Sequence, residues 1–130
     1  MPCIQIHLIR NVRSKSEIRL LADTIQQCSL DYFKAPPGDR YQIITQHDPD
    51  ELIFEDTGLG LTRTDKLVFV QVFQQGRGAE EKQALYKAMA ERLKEKCGLE
   101  GGDLVVSCVR NEKEDWSFGM GRAQFLTGEL

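Results

Sequence analysis

Apolar residues at the start of the chain alternate with polar ones. Ile4, Ile6 and Leu8 are separated by Gln5 and His7. This period of two predicts a β-strand over residues 3–9 with one buried face. Three later stretches are also rich in β-branched and apolar residues and are predicted to be strands: 41–45, 67–73 and 104–109.

Helical periodicity follows the first and the third of these strands. Ser14 and Glu17 have the spacing of a capping box, and apolar residues at helical spacing continue to about residue 33. A Pro-Pro-Gly sequence then ends this first helix. The second predicted helix covers residues 79–97, with Gly98 in the position of a C-terminal cap.

The two halves of the chain match at a constant offset of 64 residues. Ile4, Ile6 and Leu8 align with Val68, Val70 and Val72. The helix residues and their caps align at the same offset, as does Arg13 with Arg77. The sequence therefore predicts an internal β-α-β repeat.

Two such units predict an α+β fold of two layers, in which a four-stranded sheet carries both helices on one face. We expect one domain over residues 1–130, with halves at about 2–46 and 66–110 and a tail at 111–130. Because helices on one side leave the other face of an apolar sheet uncovered, a partner subunit is expected there.

Composition narrows the classes of function. The net charge of −3 gives no electrostatic support for binding nucleic acid or an anionic membrane. No apolar run approaches the length of a membrane span, and no secretory signal is visible, so a cytoplasmic location is expected.

Cysteine and histidine spacing gives no indication of a metal centre. The four cysteines are scattered without a close pair, which also makes a disulfide framework unexpected in a reducing compartment. The two histidines, His7 and His47, are interpreted as too few and too far apart for a metal cluster.

Pro2 directly follows Met1 and leads into the first predicted strand. Removal of Met1 would make it the chain terminus, a secondary amine held at the edge of a sheet. The alternative is that a proline at position two has no functional meaning.

Three stretches carry a family resemblance, at residues 39–47, 55–60 and 116–130. With an N-terminal proline on a doubled β-α-β unit, they make the chain resemble the tautomerase superfamily, and within it the malonate semialdehyde decarboxylase family. That resemblance implies a tautomerase-like homotrimer without metal or cofactor. It implies a carbon–carbon lyase that binds a small carboxylate and converts malonate semialdehyde to acetaldehyde and CO2.

The resemblance also implies which residues act. Pro2, as a protonated amine, would stabilise enolate-like charge or form a Schiff base, and Asp39 would assist it or activate water. Arg77 would bind the substrate carboxylate. Gln75 stands where better-known members carry a second arginine, so it can hydrogen-bond a substrate but adds no charge. The remaining candidates would form the apolar wall of the pocket: Trp116, Phe118, Phe125 and Leu130.

Other interpretations stay open at this point. A tautomerase or hydratase of small 2-oxo or unsaturated acids could use Pro2 as base or acid, and a non-enzymatic binding protein could share the fold. RNA binding would use exposed aromatic residues such as Tyr41 and Phe73, but the acidic net charge argues against it. Taken singly, Asp39 is typical of a turn and Arg77 of a solvated loop. Arg10 and Arg13 are interpreted as surface charges.

Overall fold

The computed structural model describes residues 2–130, and its elements follow the predicted order. The strands are β1 (Cys3–Ile9), β2 (Tyr41–His47), β3 (Val68–Gln74) and β4 (Leu104–Arg110). The helices are α1 (Lys15–Tyr32), α2 (Ala79–Cys97) and the short α3 (Gln124–Thr127). Each predicted strand is present, with ends that differ from the predicted ones by at most two residues.

The four strands form one sheet in the order β2-β1-β3-β4. β1 is parallel to β2 and β3 is parallel to β4, whereas β1 and β3 pair in antiparallel orientation at the centre. Each parallel pair is connected through a helix, so the sheet consists of two β-α-β units. The predicted α+β architecture is confirmed.

Both long helices pack on the same face of the sheet and against each other. The core between these layers contains apolar residues from each repeated position, including Ile6, Leu21, Val70 and Leu85, all fully buried. Among the helices that the structure describes, none combines the length and the apolar character needed to cross a membrane.

The helix ends also repeat, as the sequence predicts. At α1 the Glu17 amide donates to Ser14 Oγ at 3.2 Å, and the Ser14 amide donates to Glu17 Oε1 at 2.9 Å. At α2 the Gly78 amide donates to the Glu81 carboxylate at 3.2 Å, which is half of the same arrangement. Gly98 ends α2 with φ of 66°, a left-handed conformation that favours glycine.

The opposite face of the sheet is only partly covered. Phe54, from the segment between β2 and β3, packs on Phe69 with ring centroids 5.0 Å apart. On β2, Tyr41 and Ile43 are exposed, and Ile43 has 52% of its surface accessible. This open face, from Tyr41 and Ile43 on β2 across β1 to Phe69 on β3, lies where the sequence predicts that a partner subunit is needed.

The two histidines lie on this open face, and the expectation that they are far apart is wrong. His7 Nδ1 and His47 Nε2 are 2.8 Å apart, and the His7 ring stacks on Phe69. The contact forms because β1 and β2 are parallel neighbours, in which His7 pairs with Thr45 two residues before His47.

Candidate active site

Several of the predicted site residues lie next to strand ends that meet at one end of the sheet. Cys3, the first residue of β1, pairs with Tyr41, the first residue of β2, and with Phe73 near the end of β3. Strand β4 also ends here, where Gln74 pairs with Arg110. The sheet topology therefore brings the two ends of the repeat together around the start of the chain.

Pro2 lies in the centre of this end of the sheet and is buried. Continuing the register by one step from Cys3 places Pro2 between Arg40 on one side and Gln74 on the other. Removal of Met1, on which the chemistry of Pro2 depends, lies outside the described residues.

Asp39 is held just before β2 and is 7% exposed. Its amide donates to the Pro36 carbonyl at 2.9 Å, which accounts for a turn. Its Oδ2 atom, however, is buried without a hydrogen-bond partner among residues 2–130. A buried carboxylate oxygen without a partner is costly, so the turn alone does not explain this residue.

Arg77 is fixed in the link between β3 and α2. Its guanidinium donates to the carbonyl oxygens of Gln75 and Phe33, both at 2.7 Å, and lies 5.3 Å from the centroid of the Phe33 ring. In the described part of the chain no carboxylate forms an ion pair with it. Arg77 is therefore an ordered cation whose charge is not neutralised, rather than a solvated loop residue.

Gln75 precedes this arginine by two residues and is half-buried. Its backbone carbonyl accepts a hydrogen bond from the Arg77 guanidinium. Its side-chain Nε2 is buried and has no hydrogen-bond partner within residues 2–130. Gln75 lines an open cavity of about 400 Å³ together with Lys113 and Leu126. The amide is thus placed beside the tail, where the remaining candidates lie.

Three aromatic residues of the tail form a stack on the open face. Trp116 and Phe118 are nearly parallel with centroids 5.0 Å apart, and Phe125 meets Phe118 edge-on at 5.4 Å. Tyr41, at the start of β2, lies 5.7 Å from Phe118. We call these four residues the aromatic wall. Tyr41 was not among the predicted pocket residues, although the pairing of its strand with β1 places it beside the site.

Leu130 differs from the other predicted wall residues. Its amide donates to the Gln124 carbonyl at 3.3 Å, which folds the last residues onto α3. Its side chain is 61% exposed in the single chain. An assignment of Leu130 to the pocket therefore remains a prediction.

Arg13, the repeat counterpart of Arg77, was expected to be a surface charge, and this expectation is wrong. It is partly buried, donates to the Lys66 carbonyl at 2.7 Å, and has a buried NH1 group without a partner in the described chain. Burial lowers the pKa of its guanidinium. The 64-residue offset was the signal that could have identified it.

His7 and His47 form a second cluster of titratable side chains. Burial lowers the pKa of His7, and the neighbouring His47 lowers it further. This pair lies on the face of the sheet opposite the helices, at the far end of β2 from Asp39.

Side chains that could approach a metal lie away from the site. Within residues 2–130 the group that is close enough is Asp48, Asp50 and Glu51, all exposed in the turn after β2. They follow the opposite end of that strand, so they take no part in the arrangement around Pro2.

Comparison with known proteins gives consistent matches. A family model described as "Tautomerase enzyme" matches residues 39–119. The chain is 45% identical over its full length, and over the full length of the relative, to "Probable tautomerase YrdN" of Bacillus subtilis (strain 168).

Two solved structures extend the comparison. Malonate semialdehyde decarboxylase, studied for its decarboxylase and hydratase activities, is 39% identical with a TM-score of 0.94, and the match covers 98% of each chain. A symmetric trimer of fused 4-OT has a TM-score of 0.77 at 19% identity, over 97% of this chain and 98% of that one, and shows the fold alone.

Proposed function

The chain belongs to the tautomerase family, and we propose that it is a cofactor-independent decarboxylase of a small 3-oxo acid. The reaction is the conversion of malonate semialdehyde to acetaldehyde and CO2 at the Pro2 amine. The observation that carries this proposal is the burial of Pro2 at the centre of a sheet end where Asp39 and Arg77 also lie.

Charge development in the reaction explains what these residues would do. Breaking the bond to the carboxylate sends its electron pair into the carbonyl, which becomes an enolate, and protonation at carbon then gives acetaldehyde. A protonated Pro2 beside the carbonyl oxygen would stabilise that negative charge. Arg77, which lacks a carboxylate partner in the described chain, would hold the substrate carboxylate before it leaves.

Asp39 would act through the proline. Its unpartnered Oδ2 can accept a hydrogen bond from a protonated secondary amine, which favours the charged form of that amine. The aromatic wall would exclude water on the open-face side. The lower local dielectric would then strengthen the electrostatic interactions of Pro2 and Arg77 with the substrate.

The proposal requires a free amine on Pro2. Intact-protein mass spectrometry would show whether Met1 is removed, since the two forms differ by one methionine. A chain that retains Met1 would have an amide nitrogen at Pro2, which can be neither a cation nor a nucleophile.

Tautomerase or hydratase activity on small 2-oxo or unsaturated acids is the second candidate. Gln75 favours it, because a neutral side chain two residues before Arg77 adds no positive charge to hold a carboxylate that must leave. The decarboxylase with the matching structure is described with both decarboxylase and hydratase activities, and the curated relative is described as a probable tautomerase.

Assembly into a homotrimer in the cytoplasm is part of the same proposal. The exposed Tyr41 and Ile43 on the open face support a second copy of the chain as its cover. Size-exclusion chromatography with light scattering would give the mass directly, and a monomer mass would contradict the trimer.

Two substrates would separate the candidate activities. Purified protein of verified N-terminal mass is incubated with malonate semialdehyde and, separately, with a 2-hydroxydienoate, and products are followed by NMR. The proposal predicts acetaldehyde from the first substrate. Ketonisation of the dienol without acetaldehyde would favour the tautomerase, and no turnover of either substrate would contradict both enzymatic readings.

A further inference from the structure

A second cavity lies beside Arg77, on its α2 side. It measures about 290 Å³ and is lined by six residues: Gln74, Gly76, Arg77, Gly78, Lys82 and Arg110. Three of the six are cations and none is acidic. Positive side chains that line one cavity repel one another, so this arrangement is more favourable with an anion present.

The charges in this cavity are incompletely neutralised. Within residues 2–130, neither Arg77 nor Lys82 forms an ion pair. Arg110 contacts Glu112 at 2.7 Å, but its side chain is 74% exposed, and such exposed pairs are weak. The carboxylate of Glu81, the residue before Lys82, accepts a hydrogen bond from the Gly78 amide at the start of α2.

Gln74 connects the cavity to the start of the chain. It is 1% exposed, and its Oε1 accepts the Arg77 amide at 3.3 Å. It pairs with Arg110 on β4, and the continued register places it beside Pro2, the residue before β1. The cavity is therefore at the same end of the sheet as the proposed reaction centre, on the side of the helices.

We infer that Arg77, Lys82 and Arg110 form a subsite for a small carboxylate, in which Lys82 and Arg110 supply the positive charge that Gln75 does not. This inference rests on the proposed function for the identity of the anion as substrate. It assigns specificity to two residues outside the predicted site, one on the first turns of α2 and one at the end of β4.

Anion binding tests the subsite without requiring turnover. Isothermal titration with malonate, and separately with inorganic phosphate, is carried out at constant ionic strength on wild type, Lys82→Gln and Arg110→Gln. The matched control is Lys87→Gln, because Lys87 is on the same helix with a side chain 78% exposed and paired with Glu91. We expect malonate binding to weaken about threefold or more in the first two variants and to be unchanged in the control.

Several results would overturn the inference. The inference is wrong if wild type does not bind malonate, or if Lys82→Gln and Lys87→Gln weaken malonate binding equally. It is also wrong if wild type binds phosphate more tightly than malonate. Malonate binding by a wild-type protein that releases no acetaldehyde would reject the decarboxylase and leave the subsite standing.

A kinetic measurement provides the corresponding evidence in an active enzyme. Lys82→Gln should raise KM about threefold or more and leave kcat within about twofold, as expected when a charge contacts the substrate in both ground and transition states. A variant with unchanged KM and reduced kcat would contradict a binding role.

Discussion

The guanidinium of Arg77 donates a hydrogen bond of 2.7 Å to the backbone carbonyl oxygen of Phe33, at the end of α1. Arg77, which is proposed to bind the substrate carboxylate, thus also joins the second repeat to the first. Its second bond, to the Gln75 carbonyl, closes the link between β3 and α2. Loss of this side chain should therefore affect stability as well as activity.

Arg77→Gln is expected to lower the free energy of unfolding by about 1–3 kcal/mol, because two carbonyls lose a charged donor. Urea unfolding followed by circular dichroism measures this change. The matched control is Arg19→Gln, an exposed arginine that pairs with Asp23, for which a loss of at most about 0.5 kcal/mol is expected. Equal losses in the two variants would show that the Phe33 contact contributes no stability.

Gln75→Arg should restore positive charge beside the substrate carboxylate. We expect a lower KM for malonate semialdehyde, by about threefold to tenfold, since an added arginine can form a charge-assisted pair. Steady-state release of acetaldehyde measures the change, and Gln75→Met serves as a control of similar size without charge. An unchanged KM in the arginine variant would mean that Gln75 is not at the carboxylate.

The histidine pair predicts how stability depends on pH. The folded-state pKa of His7 is lowered by burial and by His47, so the unfolded chain binds a proton more readily than the folded one. The contribution of His7 to the free energy of unfolding is fully present above the unfolded pKa of about 6.5. It is lost as pH falls through the lower folded pKa.

Unfolding by urea at pH 7.5, 6.5 and 5.5 would measure this dependence. Wild type should lose stability on acidification in this range, and His7→Gln should lose less. Asp and Glu side chains titrate mainly below the range, so their contribution is small there. The same slope in wild type and in His7→Gln would rule out the pair as its origin.

Trp116 is the only tryptophan of the chain, so its fluorescence reports on the aromatic wall. Phe118→Ala removes the ring stacked on it and should shift the Trp116 emission to longer wavelength, because water then reaches the indole. Phe54→Ala is the control, since Phe54 contacts Phe69 instead. Equal emission shifts in both variants would indicate general loosening rather than a local contact.

The sequence predicted the architecture well because its signals are local and repeated. Alternation in β1 and β3 and the caps at Ser14 and Gly98 each act within a few residues. The constant 64-residue offset then limits how two β-α-β units are combined. What covers the open face is not local information, and the wide exposure of Ile43 appears only once the strands are placed.

Long-range contacts were predicted less well. The contact between His7 and His47 depends on the exact register of β1 and β2, which alternation alone does not fix. The carbonyl partners of Arg77 depend on how the end of α1 is packed. Arg13 aligns with Arg77 at the 64-residue offset, and both guanidinium groups are partly buried and donate to backbone carbonyls.

The measurement that tests the account most directly is the rate of acetaldehyde formation from malonate semialdehyde by wild type and by Pro2→Ala. Both proteins are first shown by mass spectrometry to lack Met1, and circular dichroism checks that both are folded. We predict that wild type releases acetaldehyde and that kcat/KM falls at least about 100-fold in the variant, which exchanges the ring amine for a primary amine. Full activity in Pro2→Ala would contradict the assignment of the chemistry to this residue.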